Sequence, residues 1–157
     1  MSTPRREVIR QAGGLTVMSL AVAAGLLRPQ RAVAAEWNKA AFETKDVAAT
    51  VKALGGTAPA VESKDITLTA PDIAENGAVV PVAVASKLPK TESIAILVEK
   101  NPNLLAADFF IESAMEPSVA TRVKMSQSSD VYALVKADGK FYFAKKEVKV
   151  TLGGCGG

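Results

Sequence analysis

The chain of 157 residues contains no histidine and only one cysteine. Without histidine, the common metal ligand and general base is missing, and one cysteine cannot build a zinc or iron–sulfur centre. A Ser–His–Asp or Cys–His arrangement is therefore excluded within this chain. There is no internal repeat and no low-complexity linker, which points to a single folded domain. Long apolar runs are also lacking. The longest uncharged stretch, Gln11 to Leu27, includes Gly13, Gly14 and Gly25, and it sits at or below the roughly 17–25 strongly apolar residues that a spanning helix needs.

The single cysteine is placed unusually. The chain ends Gly153-Gly154-Cys155-Gly156-Gly157, and glycine, with no Cβ, visits both signs of φ freely. Four glycines around one thiol predict a flexible arm with little hindrance at sulfur. At roughly 3.3–3.6 Å per extended residue, a sulfur a few residues past the last strand can enter a pocket about 10 Å deep. An oxidising compartment normally stores cysteines in pairs, so an odd one suggests either intermolecular pairing or a working thiol.

The other terminus predicts such a compartment. Pro4-Arg5-Arg6-Glu7-Val8-Ile9-Arg10, the mildly apolar stretch that follows, and Ala32-Val33-Ala34 as a small-residue cleavage site have the form of a twin-arginine export signal. Residues 1–34 are expected to be removed, with cleavage next to Ala34 or Ala35. Five arginines and one glutamate leave with them, so the remaining 14 Lys+Arg face 15 Asp+Glu. The basic character of the whole chain belongs mostly to the signal, and nothing favours nucleic acid or an anionic membrane as partner.

In the mature part, Trp37, Ala41, Val47, Val51 and Leu54 fall near helical spacing, one amphipathic helix or two short ones ended by Gly55-Gly56. Its apolar face either packs on its own domain, the favoured option, or crosses to a partner. From Ser63 the period becomes two. Strands are expected over Ile66–Ala70, Val80–Val84, Ile94–Val98, Val119–Met125, Val131–Val135, Phe141–Phe143 and Val148–Leu152, with a hairpin at Asp138-Gly139. Pro81 marks an edge or a bulge. Seven short strands predict an all-β, immunoglobulin-like antiparallel β-sandwich over residues 35–152, after a short helical segment. If Val148–Leu152 is the terminal strand, the arm of residues 153–157 leaves from a rigid edge.

Together, the twin-arginine signal, the segment from Ile66 to Val82, Asn101-Pro102, the strand Val119 to Ser126 and the terminal Gly-Gly-Cys-Gly-Gly resemble SoxY, the carrier subunit family of the periplasmic sulfur-oxidation (Sox) pathway. The resemblance implies an immunoglobulin-like sandwich in a heterodimer with a SoxZ-like sandwich subunit. It also implies that the thiol of Cys155 carries intermediates derived from thiosulfate as a covalent adduct. Separate enzymes would act on that adduct: a haem-containing loading enzyme, a sulfate-releasing hydrolase and a sulfane dehydrogenase. On this basis the protein is a periplasmic substrate carrier and not an enzyme, with no cofactor or metal of its own. Gly153, Gly154, Gly156 and Gly157 give the arm its freedom, and Arg5 and Arg6 direct export.

Two other classes share single features with it. A terminal Gly-Gly also ends ubiquitin-like sulfur carriers, which use a C-terminal thiocarboxylate in the cytosol. A structural periplasmic β-sandwich would use its terminal cysteine for an intermolecular disulfide.

Overall fold

The computed structural model describes residues 38–151. Two short helices open the described chain, α1 (Lys39–Phe42) and α2 (Val47–Ala53). Asn38 caps α1 by accepting the Ala41 N–H at 3.1 Å, and its Nδ2 donates to Ala53 O at the far end of α2. Asp46 caps α2 through Ala49 N. The stop is a Schellman turn: Gly55, at φ +87°, donates to Lys52 O, and Gly56 donates to Val51 O.

Nine strands follow: β1 (Val61–Glu62), β2 (Ile66–Thr69), β3 (Ile73–Ala74), β4 (Val80–Ser86), β5 (Thr91–Val98), β6 (Leu105–Phe110), β7 (Ser118–Val123), β8 (Ser129–Ala137) and β9 (Lys140–Val150). The large sheet runs β1-β9-β8-β5-β6 with β3 added on β9, and the small sheet runs β2-β4-β7. Alternation decides which side chains enter the sandwich. In β4, Val80, Val82 and Val84 are buried, whereas Pro81, Ala83 and Ala85 face outward. They meet Ile94, Ile96, Val98, Val131, Ala133 and Val135 of the large sheet. A second core lies on the sheet's other face, where Ala41 and Val51 of the helices pack on Ala95, Leu97, Leu134 and Phe141. The helices thus cover their own domain. With both faces covered, β5 is buried continuously from Ser93 to Val98, and each large side chain there contributes roughly 1.5–3 kcal/mol.

The all-β sandwich expected from the sequence is observed, with several differences in detail. Phe141–Phe143 and Val148 onward belong to one strand, β9, which pairs with β8 from Lys140 to Val148. The Asp138-Gly139 turn before it has both central residues at positive φ, +49° and +71°, the twist-matched hairpin turn. The strands β1, β3 and β6 have no counterpart in the expected set. The sheets are not wholly antiparallel, because β1 and β3 both join β9 in parallel. Pro81 sits in the central strand of the small sheet, paired with Arg122 of β7. Its other flank is open, because β2 stops at Thr69 opposite Ala83.

Candidate functional site

Arg5, Arg6, Gly153, Gly154, Cys155, Gly156 and Gly157 all lie outside the described residues. What the structure defines is the end of β9, the last described segment before Cys155. The expectation of an edge strand there is corrected: the end of β9 is held on both flanks. On one side β3 runs parallel to it, with Ile73 opposite Lys149 and Ala74 opposite Val150. Lys149 N donates to Asp72 O at 2.9 Å and Thr151 N donates to Ala74 O at 3.1 Å. On the other side the Ser128 hydroxyl accepts the Val150 N–H at 2.9 Å and lies 3.4 Å from Val150 O. The Thr151 hydroxyl bonds Glu75 O at 3.3 Å. An edge strand would leave one of these rows to water. Here the backbone is fixed through Thr151.

Lys146 fastens the outer clamp. Its Nζ donates to Ala70 O at 2.6 Å and pairs with Asp72 Oδ1 at 3.0 Å, tying the chain before β3 to β9. Sequence reasoning missed Ser128, β3 and Lys146, since a two-residue strand has no periodicity and a serine before a strand reads only as a turn.

Segments far apart in sequence converge around this exit. Asn76 folds its own turn by accepting Ala78 N on its side chain, and Gly77 O accepts Met125 N at 2.7 Å. Asn101 then bridges to Lys124 O and Ser126 N. The Asn76-Gly77, Asn101-Pro102 and Ser126 positions therefore form one end of the sandwich, next to the residue where the arm begins. Thr151 and Cys155 are four residues apart, a separation that an extended chain spans with at most about 13–14 Å. Among the described residues no group of three or more His, Cys, Asp or Glu side chains could hold a metal ion, and no helix is long and apolar enough to cross a membrane.

A family model of the sulfur oxidation protein SoxY matches residues 50–155, from within α2 to the cysteine itself. The chain belongs to the SoxY family. The sulfur carrier protein SoxY from Chlorobium limicola f thiosulfatophilum has a similar structure, with TM-score 0.60 and 40% identity over 65% of this chain and 93% of that one. A variant of superoxide reductase (neelaredoxin) from Ignicoccus hospitalis is more remote, at TM-score 0.49 and 22% identity over 57% of this chain and 82% of that one. No curated protein sequence matches the chain. Membership of the SoxY family places the chain's role in sulfur oxidation. The family match spans the whole arm base described above.

Proposed function

We propose that this protein is the covalent carrier of sulfur intermediates in thiosulfate oxidation, holding them on the Cys155 thiol and presenting them to partner enzymes. The observation that carries this is the SoxY match running to residue 155, directly beyond a strand end pinned through Thr151 by Ser128, Ala74 and Glu75. A carrier needs such a junction. The anchor sets where the arm starts, and four glycines leave the tip free to enter successive pockets.

The chemistry balances without any cofactor in this chain. Loading joins the Cys155 sulfur to the outer sulfur of thiosulfate and releases one proton and two electrons, which a haem-containing partner accepts. Hydrolysis by a second partner adds water, releases sulfate and leaves a persulfide on the cysteine. A sulfane dehydrogenase then accepts six electrons from the outer sulfur, with three waters supplying the oxygen and seven protons released, and hydrolysis of the resulting cysteine S-sulfonate releases a second sulfate and returns the free Cys155 thiol. A free thiol has a reference pKa of about 8.5 and reacts as thiolate, and the last five residues supply no base. Activation therefore falls to the enzyme pockets, and the protein itself is not an enzyme. Residues 1–34 are the twin-arginine signal, residues 35–152 the sandwich domain of a periplasmic protein, and residues 153–157 the arm. A SoxZ-like sandwich subunit completes a heterodimer, for which a standard interface buries on the order of 1,600 Å².

The test is thiosulfate turnover in a reconstituted pathway with Cys155→Ser. The hydroxyl cannot form the sulfur–sulfur bond, so turnover should vanish while the fold is unchanged. Full turnover by this variant would end the carrier proposal.

A further inference from the structure

Along one long side of the sandwich the described residues supply no further strand. Among the described residues β6 pairs only with β5, and β7 only with β4. These two unpaired edges flank a cleft of about 460 Å³ whose lining includes Leu105, Ala107, Thr121 and Arg122. An unpaired strand edge presents a row of free N–H and C=O groups, a template for another strand. The apolar surface near β6 is also large: Phe110 is 69% exposed and Met115, on the loop after β6, is 55% exposed.

Asp108, two residues before Phe110 and so on the same face of β6, adds a charge that wants a partner. Its Oδ1 is shut off from solvent and meets no donor among the described residues. Lys136, whose charge acts on it, is already engaged with Glu92 at 3.0 Å. Burial raises the Asp108 pKa above its ordinary 3.8, against the opposing pull of the Phe109 N–H and Lys136. A carboxylate with one oxygen buried and unpaired costs free energy that an added cation would offset.

We propose, on the partner-subunit reading above, that the β6 edge is the docking surface for the second subunit: an edge strand of another β-sandwich adds to β6, covers Phe110, and sets a lysine or arginine against Asp108. The charge selects the occupant. A second copy of this chain adding its own β6 antiparallel about a two-fold axis would bring two Asp108 carboxylates to neighbouring cross-strand positions, where like charges repel. A different chain with a basic side chain there removes the penalty. Position agrees with function. Phe110 lies opposite Ser93, which is itself opposite Lys136 beside the Asp138-Gly139 turn, at the far end of the sandwich from Thr151. A partner seated there leaves the cysteine arm free for the enzymes.

The experiment uses the full chain co-expressed with the SoxZ-type subunit, comparing wild type, Phe110→Asp, Asp108→Asn and, on the outer face of the small sheet, Ala83→Arg by sedimentation and titration. Hydrogen exchange of the β6 amides is followed with and without the partner. Phe110→Asp should weaken the heterodimer by roughly tenfold or more, as loss of a central aromatic anchor does. Asp108→Asn should weaken it too, without lowering the thermal midpoint of the isolated chain, and the β6 amides should gain protection in the complex. Unchanged affinity of both β6 variants, or loss on Ala83→Arg alone with no protection at β6, would overturn the assignment of this edge. Protection of β6 through self-association would overturn the choice of occupant. If wild type binds no SoxZ-type subunit at all, the partner reading itself fails.

Discussion

The Ser128 hydroxyl lies 2.9 Å from Val150 N and 3.4 Å from Val150 O, so one side chain closes the last rung of β9 where β8 has not yet begun. Paired with the β3 ladder on the opposite flank, it turns a strand end into a fixed pivot.

Ser128→Ala should remove that rung and leave the fold otherwise intact. The expected cost is about 1 kcal/mol of stability, with faster hydrogen exchange at Val150 and Thr151 than at the rest of β9. Unchanged exchange at both amides would show that β3 alone holds the pivot.

Gly55 and Gly56 end α2 for different reasons, and substitution separates them. A Cβ on Gly55 meets nothing within 4 Å, but φ is +87°; a Cβ on Gly56 would lie 2.4 Å from Val51 Cγ1 and 2.8 Å from Val51 O. Gly55→Ala should cost about 1–2 kcal/mol through backbone strain, and Gly55→Asn less, because asparagine tolerates the left-handed region. Gly56→Ala should cost roughly 1–3 kcal/mol through overpacking, with no relief from asparagine. Urea denaturation of the four variants checks both.

Asp108 gives a pH dependence of defined sign. Its folded pKa is raised above 3.8, burial being the main cause, so the folded state holds the proton more readily than the unfolded chain. Its contribution therefore favours folding increasingly as pH falls through the raised pKa, and stops growing below the ordinary aspartate value. Glu92 and Asp138 are shifted downward, by the Gly139 N–H and by Lys90 respectively, and act with the opposite sign. The difference between wild type and Asp108→Asn isolates the contribution of this carboxyl. The variant should be the more stable of the two at neutral pH, with the gap closing on acidification.

Much of the sandwich is legible in the sequence because burial on one face imposes period two. Val80, Val82 and Val84 announce themselves this way, as does the Asp138-Gly139 turn. The sequence Leu105–Phe110 does not, because Ala106, Ala107 and Asp108 break the alternation and its ladder is supplied by β5. The two-residue strands β1 and β3 are held by β9 and have no local pattern at all. That is why local pattern points to an edge at the arm base, where the structure has two flanks. The reading of residues 153–157 as an arm rests on the opposite signal, a concentration of glycine around Cys155, and those residues lie outside the described ones.

Gly153→Val together with Gly154→Val should leave the Cys155 thiol titratable but slow its processing, since β-branched side chains restrict the backbone and hinder entry to a narrow channel. Thiol titration and thiosulfate turnover should therefore diverge. Equal turnover would end the narrow-channel part of the account.

The most direct test is mass spectrometry of the C-terminal peptide after the purified protein has been incubated with thiosulfate and the loading enzyme. The account predicts a sulfur adduct on Cys155, absent without the enzyme and discharged by the sulfate-releasing hydrolase to a persulfide. An unmodified Cys155 with sulfur instead on the Gly157 carboxylate, or a Cys155–Cys155 disulfide as the sole product, would contradict it.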